Sequence, residues 1–241
     1  MTARPNRISF LNHLEELKSR IIKCVISVVA ASFVFYGFVD EVFLYLVQPV
    51  GYLVFNSPAE AFVAHVSLAV WGGFLLALPV VLYQIWRFVA VGLTNKEQKY
   101  ILIFFPASLV FFFCGALFAH VVMIPLSLRF LLSFSSGRIV PMITVSQYIA
   151  FVGSFILAFG LVFELPLFFF FLAKMGMVNS PALSRKRRHA VVVILFVSAL
   201  LTPPDIFSQI LMAVPLMVLY EIGIIVVRFA SREAKDGRGS A

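Results

Sequence analysis

Three carboxylates stand where they could do chemistry: Glu15 and Glu16 near the N-terminus and Glu97 in a later polar stretch, all set among lysines and arginines. Acidic groups held on helices in a basic field could receive a cationic ligand. Two simpler accounts stay open. Glu16 and Arg20 are spaced i, i+4, so a pair across one helical turn worth about 0.3–0.5 kcal/mol explains both. Glu97 closes Thr94-Asn95-Lys96-Glu97, a capping box in which a hydroxyl and a carboxylate satisfy the free amides of a helix start.

Glu164 and Glu221 fall inside apolar runs, with Gln84 and Gln209 as neutral companions. An ionised carboxylate at the centre of a membrane span costs roughly 2.5–3.5 kcal/mol, so it ordinarily faces a cavity or a partner and marks function. Glu164 fits that description. Glu221 lies nearer the charged Arg228, where headgroups or water could satisfy it. Catalytic patterns are missing: no His-Glu-x-x-His, Gly-x-Ser-x-Gly, P-loop or dinucleotide fingerprint occurs. His13, His65, His120 and His189 sit on different segments, and Cys24 and Cys114 lie in apolar stretches without ligand spacing. Neither an enzyme nor a cofactor or metal site is expected.

The elements that must hold these residues are membrane helices. Of 241 residues 62% are hydrophobic and only 12% charged, with a mean hydropathy of +1.03, which a water-soluble surface cannot carry. Apolar segments recur at about 21–39, 66–89, 101–126, 148–173, 190–201 and 206–229. The expected fold is an all-α integral membrane protein, one domain over residues 1–241 with six transmembrane helices. The fifth segment is short for ~30 Å of hydrocarbon at 1.5 Å per residue. Ser180-Pro181, an N-cap and first-turn pair, could start its helix earlier.

Orientation follows from basic residues, because short loops rich in lysine and arginine stay inside. Arg4, Arg7, Lys18, Arg20 and Lys23, then Arg87, Lys96 and Lys99, then Lys174 with Arg185, Lys186, Arg187 and Arg188, and finally Arg228, Arg232, Lys235 and Arg238 fall on one side. Arg129 and Arg138 alone fall on the other. Both termini are therefore expected in the cytoplasm. Phe10, Leu11, Leu14, Leu17 and Ile21 share one helical face after a cap at Ser9, which predicts a helix along the membrane surface. Ser57-Pro58-Ala59-Glu60 is a second capping box and starts a helix near Pro58, after an outer surface loop from Asp40 to Phe55 interrupted at Gln48-Pro49 and Gly51. Thr202-Pro203-Pro204-Asp205 predicts a tight outer turn, and prolines 79, 106, 125, 166 and 215 predict kinks.

Taken together these segments resemble the TatC family, the multi-spanning receptor of the twin-arginine protein translocation system. The resemblance runs from His13-Leu14-Glu15-Glu16-Leu17 to Leu219-Tyr220-Glu221-Ile222-Gly223. Its most specific pieces are Pro79-Val80-Val81-Leu82-Tyr83-Gln84-Ile85-Trp86 with Phe88, Phe159-Gly160-Leu161-Val162-Phe163-Glu164-Leu165-Pro166, and Thr202-Pro203-Pro204-Asp205 with Ser208-Gln209. The resemblance implies a cup-shaped six-helix protein of the bacterial inner membrane that binds twin-arginine signal peptides of folded cargo at its cytoplasmic face. It implies a signal-peptide site at Glu16 and Glu97, with Lys18 and Phe88 beside them, while the polar residues of the apolar runs, Glu164, Gln209 and Glu221, are read from their position as intramembrane transport residues. Implied partners are the single-span proteins TatA and TatB, lipid and other copies of the chain, with export driven by the proton-motive force. Lys18 departs from the family pattern, where arginine is usual, and so do Ser67, Val91 and His120. A proton-coupled small-solute transporter using Glu164 as a relay, or a membrane scaffold with no ligand of its own, is the alternative from the residues alone.

Overall fold

The computed structural model describes residues 5–91, 93, 101–134, 142–201 and 206–236. The described elements are helical: α1 Pro5–Tyr36, α2 Val39–Val47, α3 Pro58–Val91, α4 Ile101–Phe118, α5 Ile124–Leu132, α6 Val145–Phe163, α7 Leu165–Lys174, α8 Ser180–Arg185, α9 Arg187–Leu201 and α10 Ile206–Asp236. A π-helical turn, Ala119–Met123, joins α4 to α5. Among the described residues five stretches are long and apolar enough to cross a membrane: Leu14–Tyr36, Pro58–Val91, Leu102–Leu132, Val145–Lys174 and Ser208–Ala230. The remaining expected segment, the fifth, is α9, whose 15 residues reach about 22 Å at 1.5 Å per residue, short of the hydrocarbon thickness.

Two expectations for the N-terminal third are corrected. The surface helix and the first span are one helix of 32 residues, with Ser9 in its interior. After Pro5 the sequence has neither glycine nor proline before Gly37, so nothing interrupts the backbone ladder. The stretch after it is not all loop, because Val39–Val47 forms α2. Nine residues cannot span, and the chain then turns through Gly51, whose φ of +85° suits glycine.

The chain forms two compact units, Met1–Leu109 with Thr144–Ile149, and Val110–Ile143 with Ala150–Ala241. In the first, α1 packs on α3 through two small residues. A Cβ at Gly72 would overlap the Phe35 ring, and one at Gly73 would overlap the Ser32 backbone, so the helices approach as small-residue membrane contacts allow. Further along α3 the Trp86 indole donates to Ser108 Oγ at 3.0 Å and stacks on Phe104. The start of α6 is tied in by Tyr148, whose hydroxyl donates to the Leu46 carbonyl at 2.6 Å, and by the Val145 amide, which donates to the Val54 carbonyl at 3.0 Å.

In the second unit Gly115 abuts the Phe159 carbonyl and Gly160 abuts the Phe112 ring, around the fully buried Phe112, Phe155 and Phe159. The apolar run of the fourth segment breaks at Glu164. Pro166, in the first turn of α7, has no amide to give to the Val162 carbonyl, and the ladder restarts with the Phe168 amide donating to Glu164 O at 2.8 Å. At the other end of α7 the Gly176 and Met177 amides donate to Ala173 and Leu172 carbonyls, both at 3.0 Å. With Gly176 at φ +74° this is a Schellman cap. Gly223 of α10 lies against the Phe169 ring of α7.

Two start positions shift from expectation. Asn179, not Ser180, caps α8: its Oδ1 accepts from the Ala182 amide at 2.9 Å. The predicted run from Ser180 into the fifth segment is also interrupted at Lys186, which ends α8 before α9 begins.

Candidate functional site

Glu16 and Arg20 lie one turn apart on α1, and the spacing does what it predicts: Arg20 Nε donates to Glu16 Oε1 at 3.1 Å, and Nη2 bonds the same oxygen. The third guanidinium nitrogen reaches another helix. Arg20 Nη1 donates to Gln84 Oε1 of α3 at 3.1 Å. By sequence Gln84 is a neutral companion in the apolar zone, and a contact 64 positions away has no signal in a local pattern. Phe88 lies one turn beyond Gln84 on the same side of α3 and is half-buried, whereas Lys18 is exposed. Glu97 and its capping box lie outside the described residues, as does the Asp205 turn.

The second polar group sits within the apolar segments. Glu164 occupies the break between α6 and α7, half-buried as a residue with Oε1 buried. Gln209 ties α10 to α9, its Nε2 donating to the Leu195 carbonyl at 3.0 Å. Glu221 has a protein partner that the sequence did not reveal: Arg187 Nε and Nη2 donate to Oε1 and Oε2, each at 2.8 Å. That is the planar fork geometry guanidinium favours. Both side chains are about half exposed, 51% for Arg187 and 47% for Glu221, so the pair is worth at most about 1 kcal/mol.

Glu60 belongs to the expected capping box, and its amide donates to Ser57 Oγ at 3.3 Å. Its carboxylate accepts from the Asn56 amide at 2.8 Å and, less tightly, from the Ser146 amide at 3.4 Å. The first contact completes the start of α3. The second joins α3 to the start of α6, which the capping signature could not announce. These bonds, the Asn56 amide foremost, hold the Glu60 carboxyl below its ordinary pKa. Pro49 stands in the turn after α2. Among the described residues no cluster of three histidine, cysteine or acidic side chains could hold a metal ion.

Fold and site together define an all-helical, multi-pass membrane protein whose polar groups tie its helices to one another. Residues 12–215 match the family described as Sec-independent protein translocase protein (TatC). A Sec-independent protein translocase protein TatC of Carboxydothermus hydrogenoformans is 40% identical over 95% of this chain and 97% of its own. One from Aquifex aeolicus is 34% identical over 93% and 96%. A crystal structure described as the twin arginine translocase receptor TatC superposes with a TM-score of 0.84 at 34% identity, covering 91% of this chain and 99% of that one. The chain belongs to the TatC family. It is therefore a translocase subunit of the twin-arginine system and not an enzyme.

Proposed function

We propose that the chain receives twin-arginine signal peptides at the cytoplasmic face of the bacterial inner membrane, through Glu16 and Glu97 with Lys18 and Phe88 beside them. The observation that carries this reading is the Glu16 carboxylate. It stands on α1, 30% exposed, within one guanidinium's reach of Gln84 on α3, in a chain of the translocase receptor family. Arginine stays charged at any working pH and prefers carboxylate partners. After recognition, the receptor assembles with TatA and TatB, and the proton-motive force drives export.

Topology is part of the same proposal. Six helices, counting the short α9 with α10 as a hairpin, form one membrane domain with both termini in the cytoplasm, supported by the distribution of basic residues. Pro49 and Asp205 then mark outer turns. Glu164, at its helix break, with Gln209 and Glu221, serves the transport step within the membrane. The deciding test is photo-crosslinking of a twin-arginine signal peptide to probes placed near Glu97, with a twin-lysine peptide as control. Selective capture of the twin-arginine peptide is expected; equal capture of both would remove the assignment.

A further inference from the structure

We propose that the basic run Arg185 to Arg188, with Lys174 and Arg228 at the same end of the helices, binds the phosphate headgroup of an anionic phospholipid whose acyl chain lies along an open apolar ridge of α9. The candidate spans that end at Lys174 and Ala230 finish together: Ala173, Val227 and Ala230 share one buried cluster, and Phe170 and Leu183 pack against it. Leu183 brings α8 to that level, where the Tyr220 hydroxyl donates to its carbonyl at 3.0 Å. The junction of α8 with α9 is therefore held where two apolar helices end, the depth of lipid headgroups.

Charge at this end is unbalanced. Between Leu165 and Ala230 the described residues include one carboxylate, Glu221, and Arg187 already engages both of its oxygens. Arg185, Lys186, Arg188 and Arg228 are exposed, and among the described residues no carboxylate pairs with them. Setting topology does not account for the placement, because bases anywhere in the connection serve that purpose. Arg187 and Arg188 instead open α9, the helix end whose dipole disfavours cations. A bound anion relieves that repulsion. Guanidinium groups bond phosphate oxygens in a planar fork, and basic pockets at the ends of membrane helices take lipid headgroups.

The surface that follows makes the occupant a lipid and not a free anion. Arg188, Val192, Phe196 and Leu200 recur every four residues of α9 and form one ridge of its surface. Val192, Phe196 and Leu200 are 66%, 70% and 76% exposed. From Arg188 to Leu200 the ridge rises about 18 Å at 1.5 Å per residue, enough for the ~15 Å of one leaflet's hydrocarbon. A headgroup at Arg188 thus has a chain's length of apolar contact below it. The lipid belongs to the leaflet at that end, the inner one in the proposed topology, and anchors the basic end of a helix too short to reach both surfaces.

The test is the melting temperature of the purified full-length protein in a neutral detergent, titrated with dioleoylphosphatidylglycerol, dioleoylphosphatidylcholine or water-soluble glycerol phosphate at equal ionic strength. Phosphatidylglycerol should raise it saturably, and the other two much less. Arg188→Gln should weaken the apparent phosphatidylglycerol affinity about fivefold, the weight of one base near an anionic surface. Arg185→Gln combined with Lys186→Gln should weaken it further, and either protein suffices if the other does not fold. Arg129→Gln removes an exposed base from α5 and should leave the affinity unchanged. Unaltered phosphatidylglycerol affinity in the folded Arg188→Gln and double variants would overturn the site, as would an equal loss in Arg129→Gln. Equal protection by phosphatidylcholine would remove the headgroup selectivity, and equal protection by glycerol phosphate would make this a free-phosphate site; either result overturns the lipid assignment. Protection by a hexaglutamate peptide but not by phosphatidylglycerol would make the run a protein-docking surface and overturn it too.

Discussion

At the scale of single residues, polar groups in this chain are expressive because apolar surroundings make each one costly to hold. Glu164 is the clearest case, since Pro166 opens the helix ladder one turn from its carboxylate. If Glu164 serves transport, its polarity matters more than its charge. Glu164→Gln is then expected to retain much of the export of a twin-arginine reporter, while Glu164→Leu loses most of it with peptide crosslinking preserved. Full export by the leucine variant would remove the role, and joint loss of export and crosslinking would move it to recognition. Glu60, at the exposed start of α3, carries a pH dependence. Its folded pKa is depressed, so its contribution to stability is present above the unfolded value of about 4.3 and is lost as pH falls through the folded value. Thermal melts of the wild type should therefore lose stability below that pH more steeply than melts of Glu60→Gln.

At the scale of elements, close helix contacts decide which substitutions matter. Gly72 and Gly73 both face α1, but their obstacles differ: a phenylalanine ring, which can swing, and the Ser32 backbone, which cannot. Gly73→Ala is thus expected to cost about 1–3 kcal/mol as an overpacked contact, and Gly72→Ala less, measured as melting temperature in detergent. The same distinction explains what the sequence disclosed. Apolar runs, prolines and the Ser57-to-Glu60 box are local signals, and the helices that contain them lie close to where those signals put them. The Arg20–Gln84 and Arg187–Glu221 contacts join residues 64 and 34 positions apart, and the Glu60–Ser146 contact spans 86. No spacing rule within one element reports such contacts. Errors of reading were local too: Ser9 and Ser180 have the right chemistry for caps, yet a helix without a breaker runs through the first, and Asn179 competes successfully beside the second.

At the scale of the whole molecule, orientation in the membrane is what gives the paired groups their meaning. Glu16 can meet a signal peptide only if α1 begins in the cytoplasm, and Glu60 then belongs to the opposite surface. With 34 residues, α3 measures about 51 Å, well beyond ~30 Å of hydrocarbon, so Ser57 and Glu60 at its start can stand clear of lipid. In the proposed topology, argued from the basic residues, Ser57 and Gly137 lie outside and Asn95 and Ser184 inside. Single cysteines at Ser57 and Gly137, in a background lacking Cys24 and Cys114, should react with a membrane-impermeant thiol reagent added to intact cells. Cysteines at Asn95 and Ser184 should react only after the cells are opened. A cysteine at Asp205 tests the hairpin separately, because α9 is about 8 Å shorter than the hydrocarbon: slow labelling there, with Ser57 labelled fast, would mean that the α9–α10 turn stays below the outer surface. Labelling of Ser184 with Gly137 protected would invert the chain, place Glu16 outside, and separate it from any cytoplasmic signal peptide.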